Sequence, residues 1–135
     1  MKKITNELRY AGVKQRFAAS VVVGDIVFVS GCSGRTIETG EVSSGDVRAQ
    51  LRVAYDKIKS ALEGAGSCLE NICKITIYLK DMADYATVKQ AEAEYWAEFA
   101  PALNEEPPCS TVVQVVSLSK PNMLIEIDVF GVIDR

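Results

Sequence analysis

The 135-residue sequence contains no histidine. That absence excludes Ser-His-Asp and Cys-His catalysis and any zinc site of the Cys/His type, and it leaves proton transfer to carboxylates, lysine, tyrosine, cysteine or the backbone. The four cysteines, Cys32, Cys68, Cys73 and Cys109, form no Cys-x-x-Cys pair. A chain of this size with an adequate core does not need disulfides, so reduced thiols in a cytoplasmic setting are the expectation, with Cys32 and Cys109 buried and inert. No apolar run approaches the roughly 18 residues of a membrane span. The opening MKKITNELRY turns polar after its two lysines and lacks a signal-peptide core. An excess of basic charge is missing too. The formal net charge is −3 and the Lys and Arg residues are scattered, which gives no reason to expect nucleic acid as a partner. Internal repeats, linkers and low-complexity segments are also absent.

What is present is an ordinary globular composition, 48% hydrophobic and 24% charged, sufficient for a single domain over residues 1–135. The most informative stretch is Met123 to Gly131, MLIEIDVFG. At a period of two, Met123, Ile125, Ile127 and Val129 make one continuous apolar face, while Leu124, Glu126, Asp128 and Phe130 make the other. A carboxylate in the middle of such a strand is costly unless it is solvated or hydrogen-bonded. Glu126 therefore meets either water, as an ordinary solvent-facing acid, or a pocket.

Residues 2–10 read as a short strand followed by a polar link, and Ala18–Val23 and Ile26–Ser30 as a β-hairpin turning at Gly24-Asp25. The hairpin ends in Ser30-Gly31-Cys32-Ser33-Gly34-Arg35, whose small residues allow a ligand or another backbone to come close. This segment lacks the Gly-Lys-Ser/Thr ending of a P-loop. Ser44 or Asp46 caps a helix with an apolar stripe of Val47, Leu51, Ala54, Ile58 and Leu62, stopped by Gly64 and Gly66. Cys73–Lys80 alternates as a half-buried strand, completing a split β-α-β unit. Asp81 or Asp84 opens a second helix reaching about Phe99, and its aromatic stripe of Tyr85, Tyr95, Trp96 and Phe99 reads as core packing against the sheet. Cys109–Leu118 and Met123–Ile133 are the last strands. The order β-β-β-α-β-α-β-β predicts an α+β fold, one mixed sheet with two helices on one face. The other face keeps enough Val, Ile, Phe and Tyr to require closure against further copies of the chain.

Five segments together resemble the YjgF/RidA family of enamine/imine deaminases along nearly the whole chain. They are Val23–Gly31 (VGDIVFVSG), the Gly40 turn, Leu62–Ser67 (LEGAGS), the Tyr78-Leu79-Lys80-Asp81 strand ending and Met123–Ile127 (MLIEI). The resemblance implies a chorismate-mutase-like fold, a homotrimer with clefts between subunits, and cofactor-free hydrolysis of 2-aminoacrylate and related enamines or imines to 2-keto acids and ammonia. The family's water-orienting glutamate matches Glu126, and its hairpin serine matches Ser30, followed by Gly31. Its tyrosine falls on Phe17, and its helix asparagine falls near Lys89 or Glu92. The arginine that grips the substrate carboxylate falls on Ser110, and the family's cysteine on Val112 with Cys109 nearby. Serine cannot replace a guanidinium's paired charge-assisted hydrogen bonds, so a cation would have to come from Arg35, Arg16 or Lys89. Segments 30–35 and 120–126 also resemble the aminomuconate-deaminase-type members, which favours a different small-molecule substrate. A trimeric ligand-binding or regulatory protein of the same fold, without turnover, is the alternative.

Overall fold

Alternating burial along the last strand sets the architecture. In a computed structural model, residues 2–134 are described, and Met1 and Arg135, the ends of the expected 1–135 domain, lie outside the described residues. The elements are β1 (Lys3–Tyr10), β2 (Val13–Val23), β3 (Ile26–Ser33), α1 (Val47–Gly64), β4 (Ile72–Leu79), α2 (Tyr85–Phe99), α3 (Ala102–Glu105), β5 (Cys109–Gln114) and β6 (Ile125–Val132). Six strands form one mixed sheet in the order β1-β2-β3-β6-β4-β5. The β4–β5 pair is parallel and the other four pairings are antiparallel. Strand β6 is inserted between β3 and β4, so β3-α1-β4 is the expected split crossover and β4-α2-β5 is a second, adjacent one.

Ile125, Ile127 and Val129 of β6, with Val27, Val29, Ile75, Ile77 and Leu79 of its neighbours, form the buried layer under the helices. Helix α1 starts where Asp46 accepts a hydrogen bond from the Arg48 amide at 3.0 Å. It ends in a Schellman closure, with Ser67 N–H donating to Leu62 O at 2.8 Å and Gly66 at φ +88°. Its stripe of Leu51, Ala54, Ile58 and Leu62 is fully buried. The aromatic stripe of α2 packs largely on the other helix, Tyr95 stacking on Tyr55 with centroids 5.2 Å apart and Trp96 meeting the same ring edge-on. Tyr85, at the start of α2, is exposed.

Strand boundaries and one burial differ from those read in the sequence. Strand β2 begins at Val13, and a tight turn at Ala11-Gly12, both at positive φ, joins it to β1. The charged residues of Val13–Phe17 sit on a solvated edge hairpin, which hid them among loop residues. Strand β5 stops at Gln114 because its partner β4 ends at Leu79, and Val116 beyond it is wholly exposed. Cys109 is exposed where burial was expected, since it opens an edge strand with a neighbour on one side only, whereas Cys32 is buried as expected.

The face away from the helices is uncovered. Ile26, Phe28, Phe130 and Val132 lie on it, each more than a third exposed, with the Phe28 and Phe130 rings edge to face at 5.2 Å.

Candidate functional site

Glu126 stands in the middle of β6 and, by alternation, points to the uncovered face between Ile125 and Ile127, which point to the helices. It has Ser33 of β3 on one side and Tyr78 of β4 on the other. Across from it, β3 carries one extra residue: Val29 pairs with Val129 but Cys32 with Ile127, so Ser30-Gly31 form a β-bulge. The bulge brings the Gly31 α-carbon against the Glu126 carboxylate, where a side chain would collide with Oε2. Among the described residues no hydrogen-bond donor reaches that carboxylate. Partial burial holds its pKa above the ordinary carboxylate value, the like charge of Asp128 adds to this, and Lys57 opposes it. Asp128 is engaged differently, accepting a hydrogen bond from the Tyr78 hydroxyl at 3.0 Å.

Behind the bulge lies a group in which the sequence reading singled out Arg35 and Cys32 but not Tyr10 or Lys57. Tyr10, at the end of β1, accepts a hydrogen bond from Lys57 Nζ of α1 at 2.9 Å. The Arg35 guanidinium lies 4.1 Å above the Tyr10 ring, with its Nε donating to Gly40 O at 2.8 Å. Burial pushes the Tyr10 hydroxyl up to about 12 and the Cys32 thiol up to about 11, and draws the Lys57 ammonium down to about 8. The signal for Lys57 was its spacing. Gln50, Ala54 and Lys57 recur at helical steps along the inner side of α1, so both polar residues are buried.

The remaining expected residues fall elsewhere. Lys89 and Ser110 share a small depression of about 270 Å³ beside α2 and α3. Ser110 pairs with Ile75, whose side chain faces the helices, so it is on the opposite side of the sheet from Glu126. Lys89 Nζ donates to Glu92 Oε1 at 2.7 Å, and the buried Glu92 also accepts from the Tyr55 hydroxyl at 2.6 Å. Glu92 is thus a satisfied core carboxylate tying the two helices. Phe17 is exposed on β2, and Cys109 opens β5 in register with Lys74. Within one protomer the fold unites Glu126 with Ser30 and Gly31, and Lys89 with Ser110, but leaves these two groups apart. Among the described residues no cluster of carboxylates and cysteines could hold a metal ion, and no helix is long and apolar enough to cross a membrane.

Known proteins bear on this arrangement. The family model described as Endoribonuclease L-PSP matches residues 9–133. The 3-aminoacrylate deaminase RutC of Acinetobacter baylyi is 39% identical over 103 residues, covering 76% of this chain and 75% of its own. The 2-iminobutanoate/2-iminopropanoate deaminase of Escherichia coli is 33% identical over 116 residues, 86% of each chain. Among solved structures, E. coli TdcF with bound serine superposes with a TM-score of 0.84 at 28% identity, over 98% of this chain and all of that one.

Proposed function

The chain belongs to the Endoribonuclease L-PSP family, also called YjgF/RidA, and from that membership we propose that it hydrolyses a reactive enamine or imine to a carbonyl compound and ammonia. The observation that carries the proposal is Glu126, a half-buried carboxylate that no donor among the described residues reaches, resting against the side-chain-free Gly31 from the middle of a largely apolar strand. Such a group is expensive to keep unless water or substrate meets it. Relatives named for acting on 3-aminoacrylate and on 2-iminobutanoate or 2-iminopropanoate support a small, nitrogen-bearing unsaturated acid as the substrate class.

In the proposed reaction, an enamine first takes a proton on carbon to become the imine. Glu126 accepts a hydrogen bond from a water molecule and draws off its proton as the oxygen adds to the C=N carbon. The imine nitrogen gains a proton, and the resulting carbinolamine expels ammonia as its hydroxyl proton passes to the nitrogen, the C–N bond breaks and the carbonyl forms. Backbone groups of the Ser30-Gly31 bulge polarise the substrate. The raised pKa of Glu126 makes it a better base than an exposed carboxylate. No cofactor enters this chemistry.

The crevice is completed in a homotrimer. The exposed Phe28 and Phe130 face is the surface that would be covered, and closure between protomers would bring Phe17, Cys109, or the Lys89 and Ser110 depression toward a neighbour's Glu126. The free thiols fit a reducing, cytoplasmic compartment. Endonuclease action on RNA is the weaker reading, because the net charge is −3 and a phosphate backbone is held by basic surface.

One residue favours a second reading. Ser110 stands where the family's carboxylate-gripping arginine falls, which would fit a trimeric ligand-binding protein that retained the crevice without turnover. Ammonia release from freshly generated 2-iminopropanoate separates the two. Deamination predicts release above the uncatalysed rate by the unaltered protein and its loss in Glu126→Gln, whereas equal rates with and without protein favour the binding reading.

A further inference from the structure

Lys57 of α1 lines a cavity of about 690 Å³ that lies between the β1–β2 hairpin and α1 and reaches the Ser30-Gly31 bulge. The residue is only 8% exposed. Among the described residues its Nζ makes one hydrogen bond, to the Tyr10 hydroxyl at 2.9 Å, and no carboxylate stands at ion-pair distance. The Arg35 guanidinium sits 4.1 Å above the same Tyr10 ring, so a second cation shares the pocket wall. An amine that has lost water, gained no counter-ion at contact and faces a like charge is held toward its neutral form.

The groups facing Lys57 pull in both directions. Burial has the largest effect and draws the ammonium down to about 8, and Arg35 acts in the same sense. Cys32 and Glu126 oppose them, Glu126 from across Gly31. The other acids at the cavity are engaged or peripheral. Asp56 accepts from the Tyr95 hydroxyl at 2.7 Å, Glu7 is paired with Arg9 and Lys14, and Glu38 is exposed.

We infer that Lys57 is a nucleophilic amine that captures a small aldehyde or ketone in this cavity as a Schiff base, with the Tyr10 hydroxyl as its proton donor. A desolvated lysine beside another cation is the arrangement that activates an amine near neutral pH. The free amine adds its lone pair to the carbonyl carbon, and the C=O π pair passes to oxygen, which takes the Tyr10 proton. The nitrogen, now positively charged, returns a proton to Tyr10, giving a neutral carbinolamine. Its hydroxyl is protonated by solvent and leaves as water, and a C=N bond to Nζ remains. The net change is amine plus carbonyl compound to imine plus water. Tyr10 suits this part because burial pushes its hydroxyl up to about 12, so it is protonated while the amine is free. Val53 and Ala61 offer apolar contact to the carbonyl compound's substituent. The inference does not rest on deamination, since a binding protein without turnover would carry the same amine.

Acetaldehyde with sodium cyanoborohydride, which reduces the Schiff base to a stable secondary amine, tests this on the unaltered protein. Its own exposed lysines serve as the comparison. Peptide mass spectrometry should find Lys57 alkylated at pH 7.5 at least tenfold faster than the exposed Lys3, Lys14 and Lys80. At that pH about a quarter of Lys57 is neutral, against about one in a thousand of an ordinary lysine. The pH midpoint of Lys57 labelling should lie near 8. It should move up in Arg35→Gln, which removes a like charge, and down in Glu126→Gln, which removes an opposite one while abolishing the proposed deamination. Alkylation of Lys57 no faster than that of the exposed lysines, or a midpoint that neither variant moves, would overturn the inference.

Discussion

A methyl group placed on the Gly31 α-carbon would stand 2.6 Å from Oε2 of Glu126, so the carboxylate occupies the space that any other residue's side chain would need. Gly34, three residues on, is equally crowded but against Gln50 Cγ at 2.6 Å and its backbone Cα at 3.1 Å. The two glycines should therefore fail differently. In Gly31→Ala the free end of Glu126 swings aside, stability falls by less than about 1 kcal/mol, and deaminase activity drops at least tenfold. In Gly34→Ala the obstacle includes backbone, and overpacking costs about 1–3 kcal/mol. Urea unfolding and ammonia release on both variants check the contrast. Comparable stability losses in the two would show that Gly31 is structural only.

Glu126 is held against its own charge. Its pKa in the folded chain lies above the unfolded value of 4.5, so the native state binds the proton more tightly, and ionisation above that value subtracts from stability. Glu126→Gln should raise the Tm at pH 7, with the advantage shrinking as pH falls to about 4.5, where the unfolded carboxyl is also protonating. The same substitution should cut ammonia release about 100-fold or more, the usual contribution of a positioned base. A stabler but inactive variant is the pattern of a residue kept for chemistry. A lower Tm at pH 7 would mean that the acid has a structural partner.

The reach of the sequence reading follows from where each residue's surroundings come from. Alternation in β6 was legible because its neighbours on both sides impose the same period, so the sequence alone put Glu126 on the face opposite Ile125 and Ile127. The helix ends were legible because Asp46 and Gly66 act on adjacent backbone. Tyr10 and Lys57 were missed because they are 47 positions apart and meet only when the β1–β2 hairpin folds over α1. Residues 13–17 were not read as strand because an edge hairpin needs no buried face. The separation of Ser110 from Glu126 was hidden for a related reason, since which face a β5 residue takes depends on its parallel register with β4.

Gln50 locks the approach to the strand that carries Glu126. Its side chain donates to Ser44 O at 2.7 Å and Asn122 O at 3.0 Å, and accepts from Leu124 N at 2.8 Å, while almost wholly buried. It thereby pins the loop that enters β6 two residues before Glu126. Removing it in Gln50→Ala strands buried backbone groups and should cost about 2–3 kcal/mol, lowering the Tm by roughly 6–12 °C. Differential scanning calorimetry measures the loss, and a shift under about 2 °C would show the loop to be held by other contacts.

Phe130 tests the assembly on which the proposed crevice depends. The residue is 45% exposed on the uncovered face and its ring meets that of Phe28 edge to face, a contact worth about 0.5–1.5 kcal/mol within the protomer. Ile26 and Val132 extend the same apolar surface, which an isolated chain would leave in water. If three copies bury this face, an aspartate there meets its symmetry mates and loses its solvation, a penalty of several kcal/mol per protomer. Phe130→Asp should then run as a folded single chain in light scattering while the parent runs as a trimer, and it should lose deaminase activity although Glu126 and Gly31 are unaltered. Circular dichroism confirms that the variant is folded. A parent protein with the mass of one chain would remove the trimer, and a Phe130→Asp protein that stays trimeric and active would place the contact on another face.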